Sequence, residues 1–510
     1  MRKLLNRPAL ALASVLALVF VIVLIKSYCK LIDDLTKSLS QTETESESDF
    51  ASKSEEFPKS SQSSASEMFE PQLPNHSSDS IKDPNRQITL GTFEALKGSC
   101  FLHDGEKCDS FSYKNDAFSD LLDAITTHES ESTDTKRDTI LNLLDINNSD
   151  SDQNSLMKFY SEITRYRMYS NNRQTVDDLL YDMKTQNVWR VEEIDKEAQF
   201  KLKVTFDNDA VALFKPIRFS REQETLPNQM YFPEYERHTS EIAAFHLDRI
   251  LGFRRAMPVI GRNMNMITEI LRLADPSLQK TFFVSPKPDE NLCFTGNCQQ
   301  FCDGYHPICG NGTYIEGSLM AYLPEMRGSE RTSKLHPWAQ SYSKDEKAAW
   351  ETDPDYCDKI VESAMYTEGR LLLELIDMSI FDFLIGNMDR QNFQTFDVFG
   401  NDTFTLHYDH GHAFGKAFHD ELKILAPLLQ CCLIRSSTLQ SLLDVHSSPN
   451  PLSQYMRESL AEDPIAPILW EPHLEALDRR LIIVLQATRD CISRYSAEEV
   501  LVTKDSATFI

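Results

Sequence analysis

The stretch that decides the fold is residues 380–411, IFDFLIGNMDRQNFQTFDVFGNDTFTLHYDHG. It begins inside a long apolar run, residues 361–385, which predicts a buried helix that ends at Gly386. The loop that follows, Asn387 to Arg390, is polar although it adjoins this apolar helix. Polar side chains at such a position indicate a functional site more strongly than an isolated surface charge does.

Two alternating runs follow this loop. Phe393 to Phe399 and Thr403 to Tyr408 are joined by Gly-Asn-Asp, a pattern that predicts a β-hairpin. Asp389 precedes the predicted hairpin and Asp409 follows it directly. Because a hairpin returns the chain to the end of the sheet where it started, we expect the two carboxylates to lie close together.

Two further charged residues lie earlier in the chain, next to apolar elements. Residues 199–206 and 211–214 predict two antiparallel strands, and Lys215 ends the second of them. Residues 233–251 predict a helix with proline at its start and glycine after its end, and Glu236 falls in its first turn. Lys215 is a candidate phosphate ligand, and Glu236 is a candidate ion partner or metal ligand.

The order of these elements indicates a fold class. Residues after His419 are predicted to be mostly helical, so a small strand-rich part precedes a larger helical part, and the architecture is α+β and two-lobed. A strand lysine, a helix glutamate and two aspartates follow one another as in phosphoryl transfer on a protein-kinase-like fold. Nucleotide phosphates need cations, a divalent metal needs hard oxygen ligands, and an acceptor hydroxyl needs a carboxylate to take its proton.

Each of these residues also has an ordinary structural interpretation. Lys215 can reach solvent from a strand end, and the helix dipole alone favours a glutamate such as Glu236. The generic kinase motifs are incomplete, because no G-x-G-x-x-G precedes Lys215 and no H-R-D precedes Asp389. Asn392 follows Asp389 by three positions, where the generic motif has five.

At these residues the chain resembles the secretory-pathway kinases related to four-jointed, and within them the Golgi casein kinase branch (family with sequence similarity 20, member C). The resemblance covers roughly residues 156–500. It implies an atypical kinase fold over residues 156–510, without a glycine-rich loop and with a smaller N-terminal lobe to about residue 318. It rests on Ala212–Pro216, Arg221–Thr225, Glu236–His238, Glu241–Leu251, Gly386–Arg390 and Asp420–Leu422 through Gln430–Cys432.

The resemblance also implies roles for individual residues, with ATP as the nucleotide and Mn²⁺, or Mg²⁺, as the metal. Asp389 would be the catalytic base, and Glu236 and Asp409 would bind the metal. The residues that would contact the nucleotide are Gln199, Lys201, Lys215, Glu236, Asp409 and the hinge beside adenine, which is Met320, Ala321, Tyr322 and Leu323.

Three functions are compatible with the resemblance. The first is a serine/threonine protein kinase that phosphorylates Ser-x-Glu motifs of secreted acidic proteins. The second is a glycosaminoglycan xylosylkinase, and the third is a non-catalytic pseudokinase that activates a related kinase. The family's pseudokinase has glutamine at the position of Glu236, so the glutamate here disfavours the third. Partners implied are a second copy of this chain or a related pseudokinase.

Charge excludes one class of function and leaves another open. The chain carries 78 acidic and 52 basic side chains, a formal net charge of −26, which argues against a general nucleic-acid binder. Selection of Ser-x-Glu needs a local cationic rim. Five arginines are candidates for it, although surface arginines are ordinarily solvated. They are Arg218, Arg221, Arg237, Arg254 and Arg255.

The N-terminal segment predicts the compartment. Residues 8–25 form an uncharged run of 18 residues with basic residues on both sides, which predicts a signal-anchor, with a cleaved signal peptide as the alternative. Residues 31–155 follow as a lumenal stem, and its first 50 residues hold 14 serines and 11 acidic residues, which predicts disorder. The expected location is the Golgi lumen as a type II membrane protein, or outside the cell after processing.

The cysteines and sequons agree with this compartment. Of 11 cysteines, four lie within residues 293–309, where disulfides are favoured over a zinc site, and the adjacent Cys431 and Cys432 must bond different partners. The resemblance implies the pairs Cys293–Cys309, Cys298–Cys302, Cys357–Cys431 and Cys432–Cys491, with Cys100–Cys108 as a candidate fifth. Candidate glycosylation sites are Asn75, Asn147, Asn311 and Asn401.

Overall fold

The structure is a computed structural model. It describes residues 116–126, 139–143, 154–194, 197–226, 234–323, 330–343 and 346–503. The predicted signal-anchor, the Cys100–Cys108 pair and the sequons at Asn75 and Asn147 lie outside these ranges. Within them, none of the helices combines the length and the apolar character that a membrane span requires. All of the described residues belong to one unit, residues 82–510.

Helices dominate the second half of the described residues. In chain order they are α1 (Ser119–Thr126), α2 (Ile140–Leu143), α3 (Ser155–Ser161), α4 (Gln174–Thr185), α5 (His238–Ile250), α6 (Pro276–Gln279), α7 (Ala349–Thr352), α8 (Tyr356–Val361), α9 (Ala364–Thr367), α10 (Leu371–Ile385), α11 (Ala426–Cys431), α12 (Ser436–His446), α13 (Leu452–Leu460), α14 (Glu471–Arg494) and α15 (Ala497–Val500). A π-helical turn spans Met266–Leu271, and two short 3₁₀ helices span Asp397–Phe399 and Leu422–Leu425.

The described residues also form twelve strands, most of them in the first half. They are β1 (Val188–Glu193), β2 (Leu202–Phe206), β3 (Val211–Pro216), β4 (Val259–Asn265), β5 (Phe283–Val284), β6 (Leu292–Phe294), β7 (Ile308–Cys309), β8 (Tyr314–Ala321), β9 (Arg331–Leu335), β10 (Asn392–Phe396), β11 (Ile434–Arg435) and β12 (Leu501–Val502). The mixture of helix and sheet confirms the predicted α+β class.

A five-stranded antiparallel sheet forms the N-terminal lobe, in the order β1-β2-β3-β8-β4. Its alternating apolar residues face inward, and Leu202, Val204 and Phe206 of β2 are fully buried. The pairing of β3 with β8 places Lys215 opposite Ser318. Strand β8 continues to Ala321, three residues beyond the predicted end of the smaller lobe.

The C-terminal lobe is built around α10. Every residue of this helix is buried, which its apolar composition on all sides predicts. Two of its three buried carboxylates, Glu374 and Asp377, are compensated by Arg255 and Arg435, each of which contacts both. The helix ends at Gly386, whose φ of +66° is the left-handed conformation that terminates many helices.

The predicted helix over residues 361–385 is wrong in its first third. The chain forms the separate helices α8 and α9, and the long helix begins only at Leu371. Gly369 has a φ of +95°, and a Cβ there would lie 2.5 Å from the carbonyl oxygen of Asn401, so the chain turns here instead of continuing as helix.

The predicted hairpin is also wrong. Strand β10 pairs with β9, and residues 403–408 form no regular strand. This segment is buried against α10, where the Thr405 N–H donates to Glu374 at 3.4 Å and the His407 N–H donates to the Arg255 carbonyl at 3.0 Å. The Leu406 N–H also donates to the Gln394 carbonyl of β10 at 3.0 Å, but this single bond forms no ladder, and residues 403–407 are buried without interruption.

Three further differences concern the first half of the chain. Strand β1 was not predicted from the sequence, because Trp189 and Arg190 on this edge strand are exposed and obscure its alternation. Helix α5 begins at His238, so Glu236 precedes the helix and does not lie in its first turn. Helices α1 and α2 lie inside the segment assigned to the stem, and Arg489 of α14 pairs with Asp116 and Asp120 there.

Candidate functional site

Lys215 occupies the end of β3, in the interior of the N-terminal lobe. Its Nζ lies 2.7 Å from Oε1 of Glu241 and also contacts Oε2 of Glu236. Burial opposes its charge, but these two carboxylates outweigh that effect and raise the pKa of Lys215 above its ordinary value. The alternative that Lys215 reaches solvent is therefore wrong, since the residue is buried.

Gln199 holds the segment that carries Glu236. Its side-chain Nε2 donates to the carbonyl of Glu234 at 2.8 Å, and its Oε1 accepts the N–H of Glu236 at 2.8 Å. Lys201 immediately precedes β2. Its Nζ lies 3.3 Å from Oε2 of Glu197 and 4.0 Å from Oε1 of Glu236. These two residues thus surround Glu236, and Gln199 fixes its backbone.

Glu241 is a site residue that the sequence prediction missed. It lies in the first turn of α5, fully inside the protein, and its Oε1 accepts from Lys215 and from the N–H of His410 at 3.1 Å. Burial disfavours its charged form, but Lys215 and His410 outweigh this and hold the pKa of Glu241 well below its ordinary value. A charged residue leading the apolar run Ile242 to Phe245 was the available signal.

The carboxylates of Glu236, Glu241 and Asp409 form one cluster, with oxygens within 4.8 Å of one another. Asp409 is the exposed member and has a φ of +57°, a strained conformation for a residue other than glycine. Although the residue keeps access to solvent, the surrounding protein desolvates its carboxylate and opposes its charge; Lys201 and Lys215 outweigh this and lower the pKa of Asp409 below its ordinary value. The hard oxygen donors suit a divalent cation.

Segment 410–415 runs along α5 and fixes this cluster. The Arg237 N–H donates to the Gly411 carbonyl at 2.7 Å, and the Ser240 hydroxyl donates to the Ala413 carbonyl at 2.8 Å. A Cβ at Gly411 would lie 2.7 Å from Cβ and Cγ of Glu236, so only glycine permits this approach.

Asp389 lies in the loop after α10, which Asp382 anchors. Asp382 accepts from Arg390 at 2.8 and 3.0 Å and from the Asn387 amide at 3.0 Å. Arg390 also donates to the Tyr408 carbonyl at 2.8 Å, directly before Asp409. One guanidinium therefore connects the two aspartate segments, where the sequence predicted a hairpin.

The surroundings of Asp389 shift its acidity. Burial is the largest cause, Asp409 and Glu236 add to it, and together they raise the pKa of Asp389 to about 6 against the opposing effect of His412 and Arg390. Nε2 of His412 lies 3.6 Å from Oδ2 of Asp389, and the Tyr342 hydroxyl donates to Oδ1. Neither His412 nor Tyr342 was predicted from the sequence.

The predicted hinge residues connect the N-terminal sheet to the following segment. Met320 and Ala321 end β8, and Tyr322 donates its N–H to the Val211 carbonyl at 3.0 Å. Leu323 is buried at the end of the described range. These residues lie on the opposite side of β3 from Leu202 and the other residues of β2.

The arginines proposed for a cationic rim are largely engaged inside the protein. Arg237 pairs with Glu234 at 2.8 Å, and Arg255 pairs with Glu374 and Asp377. Arg221 binds Glu316 at 2.7 Å and two carbonyls, while Arg218 stacks on Tyr235.

The structure contains the four disulfides that the resemblance implies, Cys293–Cys309, Cys298–Cys302, Cys357–Cys431 and Cys432–Cys491. With all four central cysteines bonded in pairs, the alternative of a zinc site at residues 293–309 is wrong for this structure. The sequons at Asn311 and Asn401 are exposed.

Comparison with known proteins identifies the family. The family model described as Golgi casein kinase, C-terminal, Fam20 matches residues 154–500. Extracellular serine/threonine protein CG31145 of Drosophila melanogaster is 55% identical over 340 residues, covering 67% of this chain and 64% of that protein. Extracellular serine/threonine protein kinase FAM20C of Homo sapiens is 48% identical over 346 residues, covering 68% and 59%. The matched region spans less than two thirds of both relatives.

Other branches match at lower identity. Pseudokinase FAM20A and Glycosaminoglycan xylosylkinase, both of Homo sapiens, are 41% and 36% identical, over 68% and 66% of this chain and 67% and 80% of theirs. A solved structure of the Golgi casein kinase with Mn/ADP bound superposes with a TM-score of 0.68 and 36% identity, covering 84% of this chain and 96% of that one. The chain therefore belongs to the Fam20 family.

Proposed function

We propose that this chain is a metal-dependent protein kinase of the secretory pathway, which transfers the γ-phosphate of ATP to serine in Ser-x-Glu motifs. The observation that supports it best is the cluster of Lys215, Glu236, Glu241 and Asp409, joined to Asp389 through Arg390. A buried lysine beside a carboxylate cluster, next to a loop carboxylate with a raised pKa, is the set of groups that phosphoryl transfer requires.

In this proposal Lys215 holds phosphate oxygens, and Glu236 and Asp409 hold the metal. Glu241 accepts on both oxygens, from Lys215 and His410, which favours Glu236 and Asp409 as the ligands. When bound, Mn²⁺ or Mg²⁺ would neutralise negative charge on the phosphates. The solved Golgi casein kinase with Mn/ADP bound supports the choice of Mn²⁺ as the metal and of an adenine nucleotide as its partner.

Asp389 is proposed as the catalytic base that orients the acceptor hydroxyl and takes its proton. A pKa of about 6 lies near the working range of a general base, so the carboxylate is charged at neutral pH and still basic enough to accept a proton. Gln199 and Lys201 are proposed to face the phosphates, and Met320, Ala321, Tyr322 and Leu323 to form the adenine hinge. Both assignments follow the placement of these residues beside β3.

The alternatives have less support. The two relatives named as extracellular serine/threonine proteins are 55% and 48% identical, against 36% for the xylosylkinase. A pseudokinase does not require an intact carboxylate cluster, whereas Glu236, Asp389 and Asp409 are all present and placed together here. Arg221, Arg237 and Arg255 are engaged in ion pairs within the protein, so selection of the glutamate in Ser-x-Glu is left to Arg218, Arg254 or other cationic groups.

The test offers the full chain radiolabelled ATP with Mn²⁺ and two acceptors, a Ser-x-Glu peptide and a xylose-containing linker oligosaccharide. We expect label on the peptide, none on a Ser-x-Ala peptide, and none with the Asp409→Ala variant. Label on the sugar alone would assign the chain to the xylosylkinase branch. No label on either acceptor, with the chain folded, would support the pseudokinase.

The cellular location and the partners of the chain are proposed from its relationship to the Fam20 family. We infer residence in the Golgi lumen, anchored as a type II membrane protein or secreted after processing, and assembly as a homodimer or with a related pseudokinase. The name of the human relative, extracellular kinase FAM20C, and the existence of pseudokinase relatives support this. Endoglycosidase sensitivity at Asn311 and Asn401, which are exposed, tests entry into the secretory pathway.

A further inference from the structure

The connection between β1 and β2 differs from that of a typical protein kinase. In that position a kinase carries a glycine-rich loop, whose backbone covers the nucleotide phosphates. Residues 194–201 contain no glycine. The described part of this connection, residues 197–201, carries Gln199 and Lys201 of the candidate site. Another element must therefore cover the nucleotide phosphates as closely as the glycine-rich loop does in a typical kinase.

A small disulfide ring lies against this connection. The Cys298–Cys302 bond closes residues 298–302, which we call the disulfide ring. The N–H of Gln299 donates to the carbonyl of Glu197 at 3.0 Å, and the N–H of Gln300 donates to the carbonyl of Ala198 at 2.9 Å. Two successive backbone bonds fix the ring directly beside Gln199.

The ring is held equally firmly from its other side. The Phe301 ring packs edge-on against Tyr235, with centroids 4.8 Å apart, and Tyr235 immediately precedes Glu236. The Arg218 guanidinium lies 4.0 Å over Tyr235 and donates to the carbonyl of Phe301 at 3.4 Å. The disulfide ring thus bridges the two segments that carry Gln199 and Glu236.

These contacts line a small pocket beside Lys215 and Glu236. Its lining includes Lys215, Glu236 and Gln199 on one side and Gln300 and Phe301 of the ring on the other. We propose that the disulfide ring takes the place of the glycine-rich loop. In this proposal Gln300 and Phe301 cover the phosphate chain of the bound nucleotide, whether it is ADP or ATP. This inference rests on the proposed function, because it assumes that Lys215 marks the phosphate end of the nucleotide.

The disulfide explains how a ring without glycine can hold the backbone conformation that this cover requires. Phe301 has a φ of +59°, a left-handed conformation that non-glycine residues adopt only when their surroundings hold them there. The disulfide and the Arg218 bond supply that restraint. A preformed cover costs less ordering entropy on binding than a mobile loop does, so the restraint favours nucleotide affinity.

Phe301→Ala tests the proposal, with Tyr305→Ala as a matched control. Tyr305 is an aromatic residue of the same cysteine-rich segment, but it is 92% exposed and lines no part of the cavity. We expect Phe301→Ala to weaken binding of Mn-ADP, measured by a fluorescent analogue in competition, by about tenfold. Tyr305→Ala should remain within about twofold of the parent chain.

A second variant removes the covalent closure. The double substitution Cys298→Ser with Cys302→Ser should raise the KM for ATP about tenfold while the KM for the acceptor peptide changes less than about twofold. Unchanged nucleotide affinity in both variants would overturn the proposal. If the double variant does not fold, Phe301→Ala alone decides. Nucleotide binding is measured without an acceptor, so a parent chain that binds Mn-ADP but labels no acceptor would contradict the proposed function and leave this test intact.

Discussion

The hydroxyl of Tyr342 donates a hydrogen bond to Oδ1 of Asp389, the carboxylate proposed as the catalytic base. The segment that carries Tyr342 is fixed beside the loop that carries Asp389. The His336 N–H donates to the Gln391 carbonyl at 2.8 Å, and the Gln391 amide donates to the Gln340 carbonyl at 3.2 Å. Tyr342 therefore places a resident hydroxyl group where an acceptor hydroxyl has to bind.

Tyr342→Phe should make the acceptor site easier to fill. Without the phenol hydroxyl, a peptide serine no longer competes for Oδ1, so we expect the peptide KM to fall about threefold and ATP hydrolysis without peptide to rise. The KM for ATP should not change. Steady-state kinetics and phosphate release measure these quantities.

Tyr356→Phe is the control for this variant. Tyr356 lies in the same region, and its hydroxyl donates to the Pro337 carbonyl at 3.3 Å without contacting Asp389. Removing this hydroxyl should leave the peptide KM and the rate of ATP hydrolysis unchanged. A Tyr342→Phe enzyme that matches the Tyr356→Phe enzyme in peptide KM and in hydrolysis would show that the hydroxyl does not compete with the acceptor.

Asp389→Asn should separate turnover from nucleotide binding. The amide keeps the size of the side chain but cannot accept the acceptor's proton, so we expect kcat to fall by about 10² to 10⁴. Affinity for Mn-ADP should remain, because Lys215, Glu236 and Asp409 are untouched. Single-turnover kinetics and a thermal-shift titration measure the two effects, and loss of nucleotide binding in this variant would contradict the assignment.

Glu241→Gln should destabilise the protein strongly. It leaves Lys215 buried with one carboxylate partner fewer and replaces the charged acceptor of the His410 N–H by a neutral one, so we expect a loss of about 3–5 kcal/mol in the free energy of unfolding. Glu197→Gln is the matched control, since Glu197 pairs with Lys201 at 3.3 Å from a partly exposed position and should cost less than about 1 kcal/mol. Urea denaturation at pH 7 compares them, and equal costs would refute this account of Glu241.

Acid should destabilise the protein through His473. Burial, helped by Arg480 and Arg237, lowers the pKa of His473 to about 3. As the pH falls below the ordinary histidine pKa of about 6.5, the unfolded chain binds a proton that the folded state excludes, so stability decreases by up to about 1.4 kcal/mol per pH unit.

The variant His473→Phe tests this, because it removes the titrating group and leaves an aromatic ring beside Phe414 and Trp470. Its free energy of unfolding should fall less between pH 7 and pH 5 than that of the parent chain. An identical pH dependence in both proteins would show that His473 is not responsible.

The sequence predicts the site better than it predicts the elements that build it. Lys215, Glu236, Asp389 and Asp409 lie together, yet the hairpin predicted to unite the aspartates does not exist. The partner of β10 is β9, whose sequence Arg-Thr-Ser-Lys-Leu has no apolar alternation and gives no strand signal. Pairing over such a distance depends on tertiary contacts that local pattern does not encode.

Glu241 shows the same limit at the level of one residue. Its position in the first turn of a helix has an ordinary explanation in the helix dipole, and the sequence alone does not show that Lys215 and the His410 N–H both point at it. The role of Glu241 depends on its burial, and that burial arises only when the elements of the fold pack together.

Segment 410–415 has a consequence for regulation. Helix α5 is tied to it through Glu241 and His410, Arg237 and Gly411, and Ser240 and Ala413. Many protein kinases are switched off when the corresponding helix swings away from the cleft. Here such a movement would break all of these bonds. It would also separate the buried charge of Lys215 from that of Glu241. We therefore expect helix α5 and the carboxylate cluster to stay assembled without an activating modification.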